Sequence, residues 1–468
     1  MRGIDAGGIY LPRFRLSTEE TTAAWGHADA GGIDRKAVPA ADEDALTMAV
    51  AAAERALSAS VERSAIDLVA VATTTPPMAE GDFVSRLVRM LALPEDVACS
   101  VSTQHTAAGG EALARALDAD GPALVVAADC PEGAPADADH PLGAGAAAFV
   151  IDEDAAVPIR DISWYSDETP GIRFRPRGER EVDSLGVTTY ERTAVREAVT
   201  AAVTALAVDA SEAAAAALHQ RDGKFPYRVA GDLPISNEVV AAGTVADRVG
   251  DAGAATVPIG LLAALAEGDE GETTIGGFFG GGSAVAVELE GNLPVAGIDD
   301  LDGGEAIGYT EYLRKRGYVV EGEVAGGGAN VSLPNWQGSL DQRYRLIAGE
   351  CPDCGGITFP PRGACQECHS RVEFEGVEAS RTGTIRALTV IGQGGAPPEF
   401  AELQQREGAY AVAIVALEAG DGEATLPAQL TDVDPEAVAV GDEVRATIRR
   451  IYTQEGVPRY GVKFRSEG

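Results

Sequence analysis

The chain has 468 residues, a length that allows two or more domains and a sizeable core. Its formal net charge is −36, from 73 acidic and 37 basic residues, and only Lys36, Lys224, Lys315 and Lys463 are lysines. Such a surface repels nucleic acid and anionic membranes. The composition therefore argues against both as partners and favours a halophilic cytoplasm, where salt screens the repulsion between like charges.

Nothing in the sequence predicts a membrane segment or a secretion signal. No apolar run reaches the roughly 20 residues that a bilayer-spanning helix needs. Residues 1–16 lack the uninterrupted apolar stretch of a signal peptide. We therefore expect a cytoplasmic protein.

Apolar runs and helical patterns alternate along the first two thirds of the chain and predict an α/β fold. The predicted strands and helices, in chain order, are 3–10, 42–57 (helix), 66–73, 106–118 (helix), 123–128, 143–151, 193–206 (helix), 254–266 (helix), 272–279 and 283–290. The helix–strand–strand order that begins at residue 106 recurs from residue 254. This recurrence predicts a duplicated α/β unit with a buried helix in each copy.

The helix predicted at 106–118 lies largely in the stretch Asp96–Leu117, which also contains a strand and a turn of small polar residues. Ser102, Thr103 and Thr106 are candidate caps of the helix. Because the helix lacks a polar face, we predict that it is buried. A hydroxyl or thiol at its positive N-terminus could act as a nucleophile, and the same N-terminus could stabilise an acyl oxyanion. The alternative is a core helix with an ordinary cap.

Six segments resemble archaeal-type hydroxymethylglutaryl-CoA synthases, in order over residues 1 to about 320. They are GGIYLPRFRLSTEETTAAWG, Ala123–Asp152, His219–Ala230, Val249–Leu265, Phe278–Leu289 and Ile307–Gly317. The resemblance implies a duplicated thiolase-like fold in five layers (αβαβα), with an N-terminal half at 1–165 and a C-terminal half at 166–320. It also implies that a cysteine carries an acetyl group, a glutamate acts as general acid/base and a histidine holds a second acyl-CoA.

The positions that the resemblance assigns to this chemistry are altered in this chain. Ser102 stands where the cysteine is implied, and Thr74 stands where the glutamate is implied. His219 is retained, and Asp251 replaces the implied asparagine. Serine needs an adjacent base to become a nucleophile near neutral pH, so the aligned site lacks an evident acid/base.

Two other residues near the helix at 106–118 are candidates for the nucleophile and the base. Cys99 lies three residues before Ser102 and is an alternative nucleophile, and His105 is a candidate base. The diphosphate and 3′-phosphate of CoA call for basic groups, and the candidates are Lys224, Arg221 and Arg228, near His219 in sequence.

Two functional hypotheses follow. The first is an acyltransferase that binds acyl-CoA and uses Ser102 or Cys99 with His219 for acyl transfer or a modified condensation. The second is a catalytically inactive scaffold, or a channel for CoA intermediates, that serves a partner thiolase. Because thiolase-fold units normally pair across a sheet edge, the resemblance also implies a homodimer or a larger complex.

Four cysteines predict a metal site after a Gly-rich linker at 321–340. The pairs Cys351/Cys354 and Cys365/Cys368 each have the spacing of a metal-binding knuckle, and Gly355 follows the first pair. Together they predict a closed, structural zinc site of four sulfurs in a zinc ribbon at 341–375. His369 could compete with Cys368, and a redox dithiol is the alternative.

The remaining residues, 376–468, predict a five-stranded barrel of the OB-fold type. The predicted strands are 383–390, 410–417, 425–430, 443–451 and 460–465. The order of Cys-x-x-Cys-Gly, FPPR, second cysteine pair and final YGVKF resembles the DUF35 proteins, which are thought to bind acyl-CoA or bridge enzymes. Locally basic final strands leave single-stranded nucleic acid as a remote alternative, and the same arginines would suit a CoA diphosphate.

Overall fold

The computed structural model describes residues 1–319, 331–392 and 394–466. The chain divides into two compact units, Met1–Tyr312 and Leu313–Gly468. Within the described residues, none of the helices combines the length and the apolar character needed to cross a bilayer. Residue 320 and residues 321–330 of the predicted linker lie outside the described part of the chain.

The first unit is an α/β structure. Its strands are β1 (Arg2–Tyr10), β2 (Phe14–Ser17), β3 (Arg35–Val38), β4 (Leu68–Thr73), β5 (Ala98–Thr103), β6 (Ala123–Asp129), β7 (Gly145–Glu153), β8 (Val157–Ser166), β9 (Ala215–Leu218), β10 (Thr273–Gly280), β11 (Ser283–Glu290), β12 (Val295–Ala296) and β13 (Glu305–Ala306). Its helices are α1 (Thr18–Trp25), α2 (Ala45–Leu57), α3 (Phe83–Met90), α4 (Ala108–Ala116), α5 (Thr188–Thr204), α6 (Phe225–Val229), α7 (Asn237–Ala242), α8 (Ala246–Val249), α9 (Thr256–Glu267) and α10 (Tyr309–Arg316), the last of which spans the division between the units.

The sheet topology contains the predicted duplication. The strand order is β5-β4-β6-β7-β1 in the first half and β8-β11-β10-β9 in the second. In each half a parallel pair (β4 with β6, β9 with β10) is followed by two antiparallel pairs. The halves join where Gly3 pairs with Pro158, and glycine is required there because a Cβ on Gly3 would lie 2.3 Å from the Val157 oxygen.

Helices α4 and α9 form the central layer of the unit. Helix α4 packs on β4 and β6 of its own half and on β10 and β11 of the other, and α9 packs on β9 and β10 as well as β1 and β7. Helices α2 and α5 cover the outer faces, which completes the five predicted layers. Gly109 and Gly110 allow this close packing, because added Cβ atoms would lie 2.8 Å from the Ala254 oxygen and 2.9 Å from Val285 Cβ.

Two expectations about α4 are wrong. Its N-cap residue, Ala107, makes no side-chain capping bond, because β5 continues to Thr103 and Thr106 Oγ1 donates to the Phe279 oxygen at 2.6 Å instead. The helix also has a polar side, where Glu111 and Arg115 reach the solvent. Helix α9, by contrast, is buried from Thr256 to Leu265.

The second unit contains the ribbon and the barrel. Its elements are α11 (Leu333–Gln337), α12 (Leu340–Arg345), α13 (Ala401–Glu407), β14 (Ile347–Glu350), β15 (Ile357–Thr358), β16 (Glu375–Ile391), β17 (Tyr410–Ala419), β18 (Gly422–Gln429), β19 (Glu443–Gln454) and β20 (Val457–Ser466). Strands β18-β17-β16-β19-β20 pair in that order. A bridge from Leu430 to Phe464 nearly closes the barrel.

Candidate active site and metal centre

The buried carboxylate of Asp129, at the end of β6, links the two halves of the first unit. Its Oδ1 accepts hydrogen bonds from Thr73 Oγ1 (2.9 Å), Thr74 N (2.7 Å), Thr75 N (2.9 Å) and Thr75 Oγ1 (2.8 Å). Its Oδ2 accepts from Thr74 Oγ1 (2.8 Å) and from Ala254 N (2.7 Å), in the turn before α9. A buried carboxylate needs such donors to offset its lost hydration. Asp129 therefore fixes the end of β4 against the entrance of α9.

Thr74, the position where a glutamate is implied, is part of this network. Its hydroxyl and its amide both donate to Asp129, and its carbonyl oxygen accepts a hydrogen bond from Arg175. The hydroxyl of a threonine has no useful acidity or basicity near neutral pH. This position therefore offers no group that could remove a proton from an acyl thioester.

His219 follows β9, and apolar side chains surround most of its ring. Its ring lies edge-on to Phe225 and Phe279, with centroid distances of 5.9 and 5.7 Å. Burial lowers the pKa of His219 to about 4. The nearby arginines lower this pKa further, whereas the negative charge of Asp251 raises it. The imidazole is thus neutral at physiological pH and can donate one hydrogen bond.

Asp251 lies at the same junction between the halves. Its Oδ1 accepts from Gly253 N at 2.8 Å and its Oδ2 from Arg173. Both groups influence the pKa of His219, so the three side chains form one electrostatic cluster. Arg173 and Arg175 come from the segment GIRFRPRGER, and its four arginines in ten residues were the available sequence signal for them.

Cys99 and Ser102 lie on the exposed edge strand β5, and His105 follows this strand. Ser102 lines a cavity of about 550 Å³ that is also lined by Glu111, Arg115 and Trp164 and not by His219. His105 Nε2 lies 3.4 Å from Glu111 Oε1. Burial raises the pKa of the Cys99 thiol, which is opposite to the shift that an activated nucleophile requires.

The two regions meet where Thr103 of β5 pairs with Thr73 of β4, and also at Phe279. Its carbonyl oxygen accepts the bond from Thr106 before α4, and its ring contacts His219. The structure thus brings His219, Asp251 and the Thr74 network together. It gives Ser102 and His219 different surroundings, and their joint role in catalysis stays a prediction.

The three residues predicted to hold CoA differ in their exposure and in whether carboxylates already pair with them. Arg221 pairs with Glu191 and lies 3.7 Å from Asp222, and its guanidinium stacks on Phe225. Lys224 and Arg228 are exposed at either end of α6. Their roles in binding CoA also stay predictions.

The four cysteines of the second unit converge on one point. Their sulfurs all lie within 4.8 Å of one another, and the Cys351–Cys368 and Cys354–Cys365 sulfurs are each 3.7 Å apart. A tetrahedral zinc with Zn–S bonds of about 2.3 Å requires sulfurs about 3.8 Å apart. Gly355 has the positive φ of 72° that the knuckle turn needs. The four thiolates therefore fit a closed metal site, and His369 is not one of its ligands.

Comparison with known proteins identifies both units. Over 297 residues the chain is 30% identical to a hydroxymethylglutaryl-CoA synthase of Pyrobaculum neutrophilum, an alignment that covers 60% of this chain and 84% of the relative. The chain belongs to the hydroxymethylglutaryl-CoA synthase family. A crystal structure of an HMG-CoA synthase complexed with CoA has the same fold, with a TM-score of 0.61, 15% identity and coverage of 71% of this chain and 94% of that one.

The C-terminal residues match a different set of proteins. Residues 340–375 match the rubredoxin-like zinc ribbon domain of ChsH2, and residues 376–449 match its C-terminal OB-fold domain. Over 128 residues the chain is 35% identical to a DUF35 domain-containing scaffold protein of Methanocaldococcus jannaschii, covering 27% of this chain and 84% of that protein. This synthase-family chain thus carries the zinc ribbon and OB-fold that the sequence predicts.

Metal removal tests the four-cysteine site. We expect one zinc per chain, and Cys354→Ser should lose the metal together with the cooperative unfolding of the ribbon, because structural zinc contributes about 10–16 kcal/mol in small zinc modules. Elemental analysis and chelator-dependent thermal unfolding measure both. Cys99→Ser, a thiol on β5 outside the cluster, is the matched control; retention of one zinc by Cys354→Ser would contradict the assignment.

Acid titration tests the burial of His219. Between pH 6.5 and about 4 the unfolded chain protonates this histidine and the folded chain does not, so its stabilising effect is present above pH 6.5 and is lost as the pH falls. The free energy of unfolding should therefore fall more steeply with acid in the wild type than in His219→Gln, by up to about 3 kcal/mol. Urea titrations across this range measure the difference, with exposed His27→Gln as control; equal slopes for all three proteins would refute it.

Proposed function

We propose that the chain binds an acyl-CoA thioester at the junction of its two α/β halves and presents it to a partner thiolase, without completing a condensation itself. One observation carries this proposal: the Thr74 hydroxyl is bound to Asp129 where the family chemistry needs a free carboxyl group. The cluster of His219, Asp251 and Arg173 supports retention of the ligand site. A neutral His219 is suited to donate a hydrogen bond to a thioester carbonyl.

The relatives support the scaffold part of the proposal. The solved synthase is described as a complex with CoA, and the relative of the second unit is named a scaffold protein. A chain that combines both kinds of unit would hold a CoA intermediate and bind the enzyme that makes or consumes it.

A second candidate is acyl transfer through Ser102. It is favoured by the contact between His105 and Glu111 and by the cavity that Ser102 and Glu111 both line. A base held by a carboxylate is the arrangement that activates a serine hydroxyl. In this case the acyl group would move from the CoA sulfur to Ser102 Oγ, with the hydroxyl proton passing to His105.

Incubation of the full chain with acetyl-CoA in molar salt distinguishes the candidates. We expect calorimetry to detect binding that His219→Gln weakens about three- to tenfold, the effect of one lost hydrogen bond, and that Ser102→Ala leaves unchanged. Mass spectrometry should find no acetyl adduct on peptide 96–117. An adduct that disappears in Ser102→Ala would favour acyl transfer, and absence of acetyl-CoA binding would refute both candidates.

The edge strand β5 supports a homodimer. It is the last strand on its side of the sheet within the described residues, and Val101 at its centre is 49% exposed. An uncovered strand with an apolar side chain is suited to pair with another chain. We propose that two copies pair along β5.

Light scattering after size exclusion in molar salt tests this pairing. The expected mass is twice the 48.1 kDa of one chain, and Val101→Glu should reduce it to a single chain, because paired strands would place two like charges near each other. Val440→Glu, an equally apolar and exposed position in the second unit, should remain dimeric. A monomeric wild type would contradict the proposal.

A further inference from the structure

Two arginines of the second unit stack on one tryptophan, and a third acts electrostatically on one of them. Arg343 lies on α12, Arg362 in the ribbon loop and Arg459 on β20, and both Arg362 and Arg459 act electrostatically on Arg343. Within the described residues, none of the three forms an ion pair with a carboxylate. In a chain with 73 acidic residues and 37 basic ones, a cluster of positive charge without acidic partners calls for an explanation.

Trp336 holds two of these guanidinium groups in place. Arg343 Cζ lies 4.1 Å from the centre of the Trp336 ring, and Arg459 Cζ lies 5.0 Å from it. The indole is itself fixed by Tyr452, which contacts it edge-on at 6.1 Å. Arginine–aromatic stacking orients the planar guanidinium groups and leaves their N–H edges available for other contacts.

Hydrogen bonding in the cluster is incomplete. Arg343 Nε donates to Ser339 Oγ at 2.9 Å. Arg459 is only 8% exposed, yet its Nε is buried without an acceptor. A buried charged donor left without a partner is costly, so the fold holds a positive charge ready for an anion that the described residues do not supply.

We propose that Arg343, Arg362 and Arg459 form a binding site for the phosphate groups of a small nucleotide-type ligand. Guanidinium groups bind phosphate oxygens through paired, charge-assisted hydrogen bonds. Three such groups match a diphosphate better than a single carboxylate, because a diphosphate offers more acceptor oxygens and more negative charge. Arg343 is half-buried, Arg362 is exposed and Arg459 is buried.

Single-stranded nucleic acid fits this cluster less well. Proteins that bind it expose aromatic rings on which successive bases stack. Trp336 is 6% exposed and Tyr452 is similarly buried, and the indole already contacts two guanidinium groups. The strongly negative net charge of the chain also opposes a long polyanion, so a short phosphate ligand is the better match.

Calorimetry of the full chain with inorganic pyrophosphate, and separately with CoA, tests the proposal. We expect one pyrophosphate per chain, with affinity about ten- to a hundredfold weaker in Arg343→Gln and in Arg362→Gln. Arg362 is exposed, so its substitution should leave folding intact. Arg345→Gln is the matched control, because Arg345 lies on the same helix but faces Glu378 at 3.6 Å; it should bind like the wild type.

The outcomes separate this site from the junction site. Loss of pyrophosphate binding in Arg362→Gln with acetyl-CoA binding still sensitive to His219→Gln supports two independent sites. If Arg362→Gln weakens the binding of both pyrophosphate and CoA, CoA is the source of the phosphates, and this result supports the proposal. Absence of pyrophosphate binding, equal affinity in all variants, or tighter binding of an oligothymidylate that Arg343→Gln abolishes would overturn it.

Discussion

The carboxylate of Asp129 is the constraint on which the first unit depends. It lies at the end of a fully buried strand, and its six donors come from two segments that are far apart in sequence. The same contact dictates glycine at 253, because a Cβ there would lie 2.2 Å from Asp129 Oδ2. One carboxylate therefore sets the distance between the end of β4 and the entrance of α9, and with it the shape of the junction where His219 and Asp251 lie.

This constraint also decides what the junction can do. All six hydrogen bonds to the Asp129 carboxylate come from the protein itself, and two of them engage the hydroxyl and the amide of Thr74. The Asp129 carboxylate thus fixes the backbone at the junction. In the proposed function, neutral His219 and the ion pair of Arg173 with Asp251 orient the ligand by hydrogen bonds and charge.

The sequence predicted the features that local patterns encode. The apolar runs of the duplicated strands, the spacing of the four cysteines and the β-rich segments of the barrel all coincide with observed elements. Asp129, Arg173 and Arg175 could not be found in this way, because their partners lie between 54 and 125 residues away and leave no periodic signal. Ser102 was expected in the turn before α4, but β5 includes it, since pairing with Ala72 extends the strand to Thr103.

In a chain so rich in acidic residues, it is unusual that Arg343, Arg362 and Arg459 have no carboxylate partner among the described residues. Two other buried cations have carboxylate partners: Lys36 contacts Asp139 at 2.9 Å and Arg449 contacts Asp432 at 2.8 Å. Such pairs offset the loss of hydration on burial, and with two acidic residues for each basic one, partners are abundant. Arg459 is buried to a similar degree beside a second arginine and a tryptophan instead. Its environment lacks the carboxylate that offsets the burial of Lys36 and Arg449, and in the proposed site an anion from solution provides that offset.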